Sequence, residues 1–367
     1  MKGTFLQENL VEGLRKVSHL AVKSKSSLPI LENVLLKAEK GLLFFISTDL
    51  EIAIETFVRG KIESSGSFTV PADIFLSHLL YLPKETLVLE TKENELILKY
   101  KNGETRIKGL PAEDFPIIPR LERKHGVKVE GKELKESLRQ VIVSCSASEI
   151  RSEISGVLFK IKEGKLFLVS TDSYRLTEKI IELKEAFEEK EKKLIVPIKT
   201  CQELLRILDD EDLEIFFSES QILFFQNQTS LISRIIQAEF PRYEEVIPKI
   251  FKTKVLISKE NLIQGIKSVS PFSKSGINDI SFEFFPEKNT LTLSSLNPQV
   301  GETKLKIEAE ITGEKNSLSF NYRYILDGLS IIPTNEVSLE IIDDSSPAIL
   351  KPFPESNLLY LLMPIKT

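Results

Sequence analysis

Three stretches of the chain repeat one pattern of apolar and polar positions. ENLVEGLRKVS near the N-terminus, KELKESLRQVI and KENLIQGIKSVS each place apolar residues at i, i+4 and i+7 with polar residues between them. The sets are Leu10, Leu14 and Val17; Leu134, Leu138 and Val141; and Leu262, Ile266 and Val269. Such a stripe predicts an amphipathic helix lying on a core. The copies lie 124 residues (10 to 134) and 128 residues (134 to 262) apart.

Other landmarks keep the same period. Ile46-Ser47-Thr48-Asp49 matches Val169-Ser170-Thr171-Asp172, and Leu293-Ser294-Ser295-Leu296 takes the third place. Val70-Pro71, Val196-Pro197 and Phe320-Asn321 each precede a second helical run. Asp114-Phe115-Pro116, Glu239-Phe240-Pro241 and Leu362-Met363-Pro364 close the copies. A period this long marks a domain, because solenoid units run about 20 to 50 residues. Three domains are therefore expected, at 1–121, 125–247 and 253–367. The boundaries fall in PIIPRLERKHG (116–126) and PKIFKTK (248–254).

Each copy doubles within itself: strand, helix and a group of strands, then a second such set. In the middle copy KLIVP leads into the helix KTCQELLRIL. LEIFFSESQILFFQNQTSLISRIIQ follows, with SESQ and QNQT as turns between short β-prone runs. Two helices and two groups of antiparallel strands per domain predict an α+β class.

Composition narrows the function. At 367 residues, 41% of them hydrophobic, the chain fills two or three cores. No apolar stretch is long enough for a membrane span, and MKGTFLQENL lacks the basic-then-apolar order of a secretory signal. Cys145 and Cys201 form no paired motif, so neither a disulfide framework nor a structural zinc is expected, and the cytoplasm is the expected location. The net charge of −5, from 49 basic and 54 acidic residues, argues against a protein that coats nucleic acid by overall charge. It leaves open one whose basic groups gather on a single face.

Catalytic signatures are missing. There is no GxxxxGK[ST] loop, no GxGxxG after a strand and no HExxH, and His19, His78 and His125 are scattered. No cofactor, metal or intrinsic catalytic site is expected. Asp49 and Asp172 look like paired carboxylates, but a Ser-Thr-Asp that ends a strand commonly bonds its own turn backbone. Ser170 has neither a histidine neighbour nor an elbow sequence.

Basic charge does recur. Arg15, Arg139 and Lys267 hold one shared position in the repeated helices. Lys23, Lys25 and Lys274 lie at or beyond the helix ends, and the second helices add Lys199, Arg206 and Arg323. A solvated helix face explains any one of these. The recurrence makes a shared surface for phosphates an equal reading, because such contacts need no sequence readout.

The whole chain resembles the beta sliding clamps of bacterial replicative DNA polymerase. The resemblance rests on LPILENVLL (28–36), STDLEIAIE (47–55), LPAEDFP (110–116), GVLF (156–159), STDSYRL (170–176), FPRYEEVIP (240–248) and the C-terminal LLMPIKT. It implies a non-catalytic processivity factor, DNA polymerase III beta subunit-like, in which three DNA-clamp domains per subunit form a ring as a head-to-tail homodimer around duplex DNA. Helices would face the hole, with Arg15, Lys25, Arg139, Arg151, Lys199, Lys267 and Lys274 toward DNA. A ring holds DNA by topology and needs only weak phosphate contacts, which reconciles the net charge with a DNA partner.

The resemblance also implies a groove for short linear peptides from the polymerase catalytic subunit, clamp loader and repair proteins. Its positions here are Ile154, Thr171, Ser173, Tyr174, Arg175 and Leu176, then Pro241, Val246, Ser346, Leu361, Met363, Pro364 and Ile365. Apolar residues would take leucine and phenylalanine anchors while Arg and Ser fix the peptide backbone. Ser152, Glu153 and Glu245 depart from common family patterns at the rim. PFSKSG (271–276) is expected near the subunit interface. The alternatives are a protein-interaction scaffold that does not bind DNA, and a nuclease, against which the missing metal ligands weigh.

Overall fold

The computed structural model describes every residue except 24–27, 125, 147, 149, 186, 188 and 367. Packing gathers the chain into two units, Met1–Lys132 with Gln202–Ile235, and Glu133–Cys201 with Ile236–Thr367. Among the described residues there are six α-helices, two per sequence copy: α1 Gln7–Lys23, α2 Ala72–Tyr81, α3 Gly131–Val141, α4 Ile198–Ile207, α5 Lys259–Val269 and α6 Tyr322–Ile331.

The repeated stripe lies inward. All nine positions from Leu10 to Val269 are at most 1% exposed, each contributing about 1.5–3 kcal/mol of burial. A small residue lets the helix press onto its sheet. A Cβ on Gly13 of α1 would meet the Phe45 ring at 2.7 Å, and one on Gly265 of α5 would meet Ile307 at 2.4 Å. Ser137 holds the same place in α3 and is fully buried.

The first unit carries two antiparallel sheets. One runs Lys61–Ser64, Lys2–Leu6, Thr86–Lys92, Glu95–Tyr100, Gly103–Lys108. The other runs Val127–Glu130, Asp212–Phe217, Gln221–Gln226, Thr229–Arg234, Ile52–Arg59, Leu42–Thr48, Asn33–Glu39, Gly66–Pro71. The second unit has a nine-stranded sheet, Glu191–Pro197, Gly156–Lys162, Lys165–Thr171, Arg175–Glu182, Leu358–Leu362, Ala348–Phe353, Glu336–Ile341, Thr253–Ser258, Glu310–Gly313. Its other sheet runs Gly301–Glu308, Thr290–Asn297, Asp279–Phe285, Asn316–Asn321.

The strands do not stay within one copy. Thr229–Arg234 of the second copy pairs with Ile52–Arg59 of the first, with Ile54 opposite Leu231. Arg175–Glu182 of the second pairs with Leu358–Leu362 of the third, with Thr177 opposite Tyr360. Pairing these edges satisfies backbone groups that separate sheets would leave exposed. For that reason the packed units do not follow the sequence period.

Pairing also refines the alignment of the third copy. Leu35 lies opposite Ile46, Leu158 opposite Val169 and Ser281 opposite Ser294. Ser294 is thus the counterpart of Ile46, and Ser295 of Ser47 and Ser170. Alignment on the Ser-Thr-Asp letters alone falls one residue short.

Candidate peptide groove and nucleic-acid face

The turn at 171–175 is held by its own side chains. The Thr171 hydroxyl donates to Arg175 O at 2.7 Å and accepts the Ser173 N–H at 3.1 Å. Asp172 Oδ1 accepts the N–H groups of Tyr174 and Arg175 at 3.0 and 3.1 Å. These bonds keep Ser173 left-handed at φ +79°, a region that costs a non-glycine residue energy. The first copy repeats the device. Asp49 Oδ1 accepts the Ile52 N–H at 2.8 Å and Leu50 sits at φ +77°. Asp49 and Asp172 are turn-forming carboxylates, as the bland reading of the motif has it.

Arg175 bolts this turn to α6. Its Nε donates to Asp172 Oδ2 at 2.9 Å and one Nη to Asp327 Oδ2 at 2.5 Å. The guanidinium lies 4.5 Å from the Tyr324 ring centroid, and the Tyr174 ring stacks on Tyr324 at 6.4 Å. The Tyr360 hydroxyl donates to Tyr324 O at 2.7 Å. The C-terminal segment is tied to the same turn, since the Met363 N–H donates to Tyr174 O at 2.8 Å. The Ile365 N–H donates to Ser319 O at 2.7 Å.

Beneath the turn lies an apolar floor. Ile154, Leu176 and Leu361 pack with Phe240 and Tyr243, and Met363 adds a half-buried edge. Leu176 and Leu361 are opposed across the strand joint and each is only 3% exposed. The accessible rim comes from Tyr174 at 63% and Val246 at 50%, with Pro241 also exposed. Pro364 and Ile365 are half-buried. Ser346 stands in a separate turn, where its N–H donates to Asp343 Oδ1 at 2.8 Å. Hydrogen bonds from Ser345 and Ser346 hold the Asp343 carboxyl at about 2.

Charge is buried beside this floor. Burial raises the Glu178 pKa, against a hydrogen bond from Tyr243 that lowers it, and burial with Glu178 beside it raises that of Tyr243. Lys160 pairs with Glu244 at 2.6 Å and Glu191 at 3.8 Å. Both cysteines remain thiols at neutral pH. Burial, then the Asp172 charge, pushes Cys145 up to about 12, and full burial raises Cys201. Among the described residues no His, Cys, Asp and Glu group could hold a metal, and no helix is long and apolar enough to cross a membrane.

Comparison with known proteins decides the family. The models for the N-terminal, central and C-terminal domains of the DNA polymerase III beta subunit match residues 1–119, 128–242 and 244–366. The chain belongs to the DNA polymerase III beta subunit family. It is 28% identical over 379 residues to the beta sliding clamp of Bacillus subtilis, covering all of both chains. The solved sliding clamp of that organism superposes with a TM-score of 0.94 at 27% identity, over 100% of this chain and 99% of that one. The DNA polymerase III beta subunit of Thermotoga maritima gives 0.92 at 28%, with the same coverage. The chain is thus a sliding clamp subunit of three clamp domains, a processivity factor in DNA replication and non-catalytic.

In this clamp subunit Arg15, Arg139 and Lys267 are all exposed, on α1, α3 and α5. Lys199, on α4, and Lys274, after α5, are exposed as well. Lys25 falls outside the described residues. Arg151 stands apart from the helices: its Nη donates to the Ser173 hydroxyl at 2.6 Å and its Nε to Glu153 at 3.0 Å. Glu153 thus holds Arg151 beside the turn at 171–175. Glu245 pairs with Arg242 at 3.8 Å on the exposed rim. Phe272 of the PFSKSG segment lies beside Gly301, at the start of an edge strand.

Sequence reading missed Phe240 and Tyr243 in the floor, and Tyr324 and Asp327 behind Arg175. The repeated acidic-Phe-Pro motif was a signal for Phe240. Asp327 gave none, because its partner lies 152 residues away.

Proposed function

We propose that two copies of this subunit close head to tail into a ring around duplex DNA in the cytoplasm, and that the groove beside Met363 captures peptides of the polymerase, clamp loader and repair proteins. The observation that carries the ring is a missing joint. Each internal joint pairs the third strand of one copy's first group with the last strand of the next copy's second group. Two strands of those kinds stay at sheet edges, Gly301–Glu308 of the third copy and Gly103–Lys108 of the first. A second molecule supplies the partner for each, and such heterologous contacts close when the rotation permits.

The internal joints also assign the register. Ile54 and Thr177 pair with Ser47 and Ser170, and Thr303 pairs with Ser295. Leu231 and Tyr360 lie five residues before the bridge residues Ile236 and Ile365, as Thr105 lies before Leu110. Thr303 therefore faces Thr105 of the other molecule. Glu104 then faces Lys304, and Arg106 faces Glu302, two complementary pairs.

The DNA role rests on the family and on exposed Arg15, Arg139 and Lys267 at equivalent helix positions, which suit sequence-blind phosphate contact. The groove role rests on an apolar floor with a rim of Tyr174, Val246 and Met363. Methionine's flexible thioether accommodates several partners. The test is retention after loading by a clamp loader. The subunit should persist on closed circular DNA and run off the same DNA once linearised. Equal retention on both, or a footprint confined to one base sequence, would overturn the proposal.

A further inference from the structure

The first internal joint is built like the second, and it holds an open cavity. In the second unit Leu176 faces Leu361; in the first unit Ala53 faces Ile232 at the same position of the matched joint. Phe115-Pro116 repeats Phe240-Pro241, and Ile118 stands where Tyr243 closes the other floor. Smaller side chains at both places leave a cavity of about 510 Å³ walled by Ala53, Phe115, Ile118, Leu121, Leu223 and Ile232. A second hollow of about 260 Å³ adjoins it, reaching Leu50 and Arg234.

The mouth is basic. Arg120 and Arg123 line the larger cavity and Arg234 the smaller, against Glu55 and Glu51. Among the described residues Arg120 and Arg234 have no ion-pair partner. The Arg123 guanidinium carbon sits over the Phe225 ring, 3.6 Å from its centroid, a contact that leaves its N–H groups able to meet a carboxylate. Ile117, between the two hollows, is 95% exposed.

We propose that this cavity is a second peptide-docking site, taking a short linear segment with bulky apolar anchors and at least one acidic side chain. The inference rests on the reading of the Met363 groove as a peptide site. Apolar walls and the turn at 48–52 follow that groove, while the three arginines select for acid where the other rim offers Arg242 paired with Glu245. Size suits a leucine or phenylalanine anchor, since ligand pockets run about 300–1,000 Å³.

The test uses the full-length protein and a synthetic decapeptide carrying leucine, photo-leucine and phenylalanine anchors with two aspartates. Irradiated adducts are mapped by mass spectrometry. Adducts within 116–123 and at 232–234 are expected, in addition to adducts at 241–246 and 361–365. Arg120→Glu with Arg234→Glu should cut the first set at least tenfold and leave the second unchanged, as should exchange of the aspartates for serine. Adducts confined to 241–246 and 361–365 overturn this inference and sustain the Met363 groove. Adducts only at 116–123 and 232–234 sustain the inference and overturn the reading of the Met363 groove as a peptide site. Crosslinks between two copies of the protein through 116–123, in place of peptide adducts, also overturn it.

Discussion

Reversing one charge at the open sheet edge should loosen the ring without unfolding the subunit. In the assigned register Arg106 faces Glu302 of the neighbouring molecule, so Arg106→Glu replaces an attraction by a repulsion. Opposite charges directly across antiparallel strands contribute roughly 0.2–1 kcal/mol, and like charges cost a similar amount. Arg106 is 61% exposed, so screening places the pair in the lower half of that range. The swing is then about 1 kcal/mol per joint. A two-copy ring has two joints, which gives ~2 kcal/mol, or about a 30-fold rise in the dimer dissociation constant.

Arg106 also pairs within its own sheet, with Glu104 at 3.0 Å and Glu95 at 3.8 Å. Losing those pairs acts on the fold of each subunit, so the reciprocal change is needed to isolate the joint. Arg106→Glu combined with Glu302→Arg restores opposite charges across the joint and should return the dissociation constant to within about threefold of the parent. Sedimentation equilibrium over a dilution series, at low and high salt, reads both variants. The parent should weigh twice 41.6 kDa. A single variant that dimerises as tightly as the parent, or a double variant no tighter than the single, would refute the register. A monomeric parent at micromolar concentration would refute the ring.

Three further outcomes follow from the same geometry. Combined reversal of Arg15, Arg139 and Lys267 to Glu should shorten retention on circular DNA, measured by gel filtration of loaded complexes, while denaturant stability changes by less than about 1 kcal/mol because all three are exposed. Deleting 363–367 should abolish fluorescence-polarisation binding of a polymerase-derived peptide and leave the dimer intact; Leu176→Ala should weaken the same binding by more than about 1 kcal/mol, and its burial predicts a stability loss of roughly 2–5 kcal/mol. Burial raises the Glu178 pKa in the folded chain, so the folded state holds that proton more tightly than the unfolded one, and its contribution to stability rises as pH falls through the folded pKa. Glu178→Gln should therefore raise the melting temperature at neutral pH, and the gain should vanish below the unfolded pKa, at about pH 4.

The repeated helices were legible because their cause is local. An i, i+4, i+7 stripe buries the same face wherever it occurs, and all nine positions became core. The Ser-Thr-Asp turns were legible for the same reason, since Asp172 and Asp49 bond backbone two and three residues ahead. What escaped was set by chain segments far apart in sequence. The pooling of Thr229–Arg234 with Ile52–Arg59 is an edge-to-edge pairing that no composition marks. The bolt from Arg175 to Asp327 joins a turn to a helix of another copy. The proposed groove rests on the family resemblance, because Leu176 and Leu361 read from the sequence as ordinary core and are indeed nearly buried.

One position of the plan explains how three equivalent joints come to do different work. At the second internal joint it holds Leu176 against Leu361, at the first Ala53 against Ile232, and at the proposed intermolecular joint Glu302 against Arg106. Two leucines fill the space and make a firm floor beneath the proposed peptide rim. Alanine in place of leucine empties that space and leaves a cavity. A charged pair offers no floor at all, and both Glu302 and Arg106 are exposed in the subunit. The third copy also lacks the carboxylate that shapes the turn in the other two, with Asn297 accepting the Gln299 N–H at the end of its strand. Apolar joints inside a chain need never open, whereas a ring that encircles DNA must part somewhere. Water readily solvates a separated Glu–Arg pair, but exposing two leucines costs about 1.5–3 kcal/mol each. Placing the charged version of the joint between molecules therefore confines opening to the two intermolecular seams of the proposed ring.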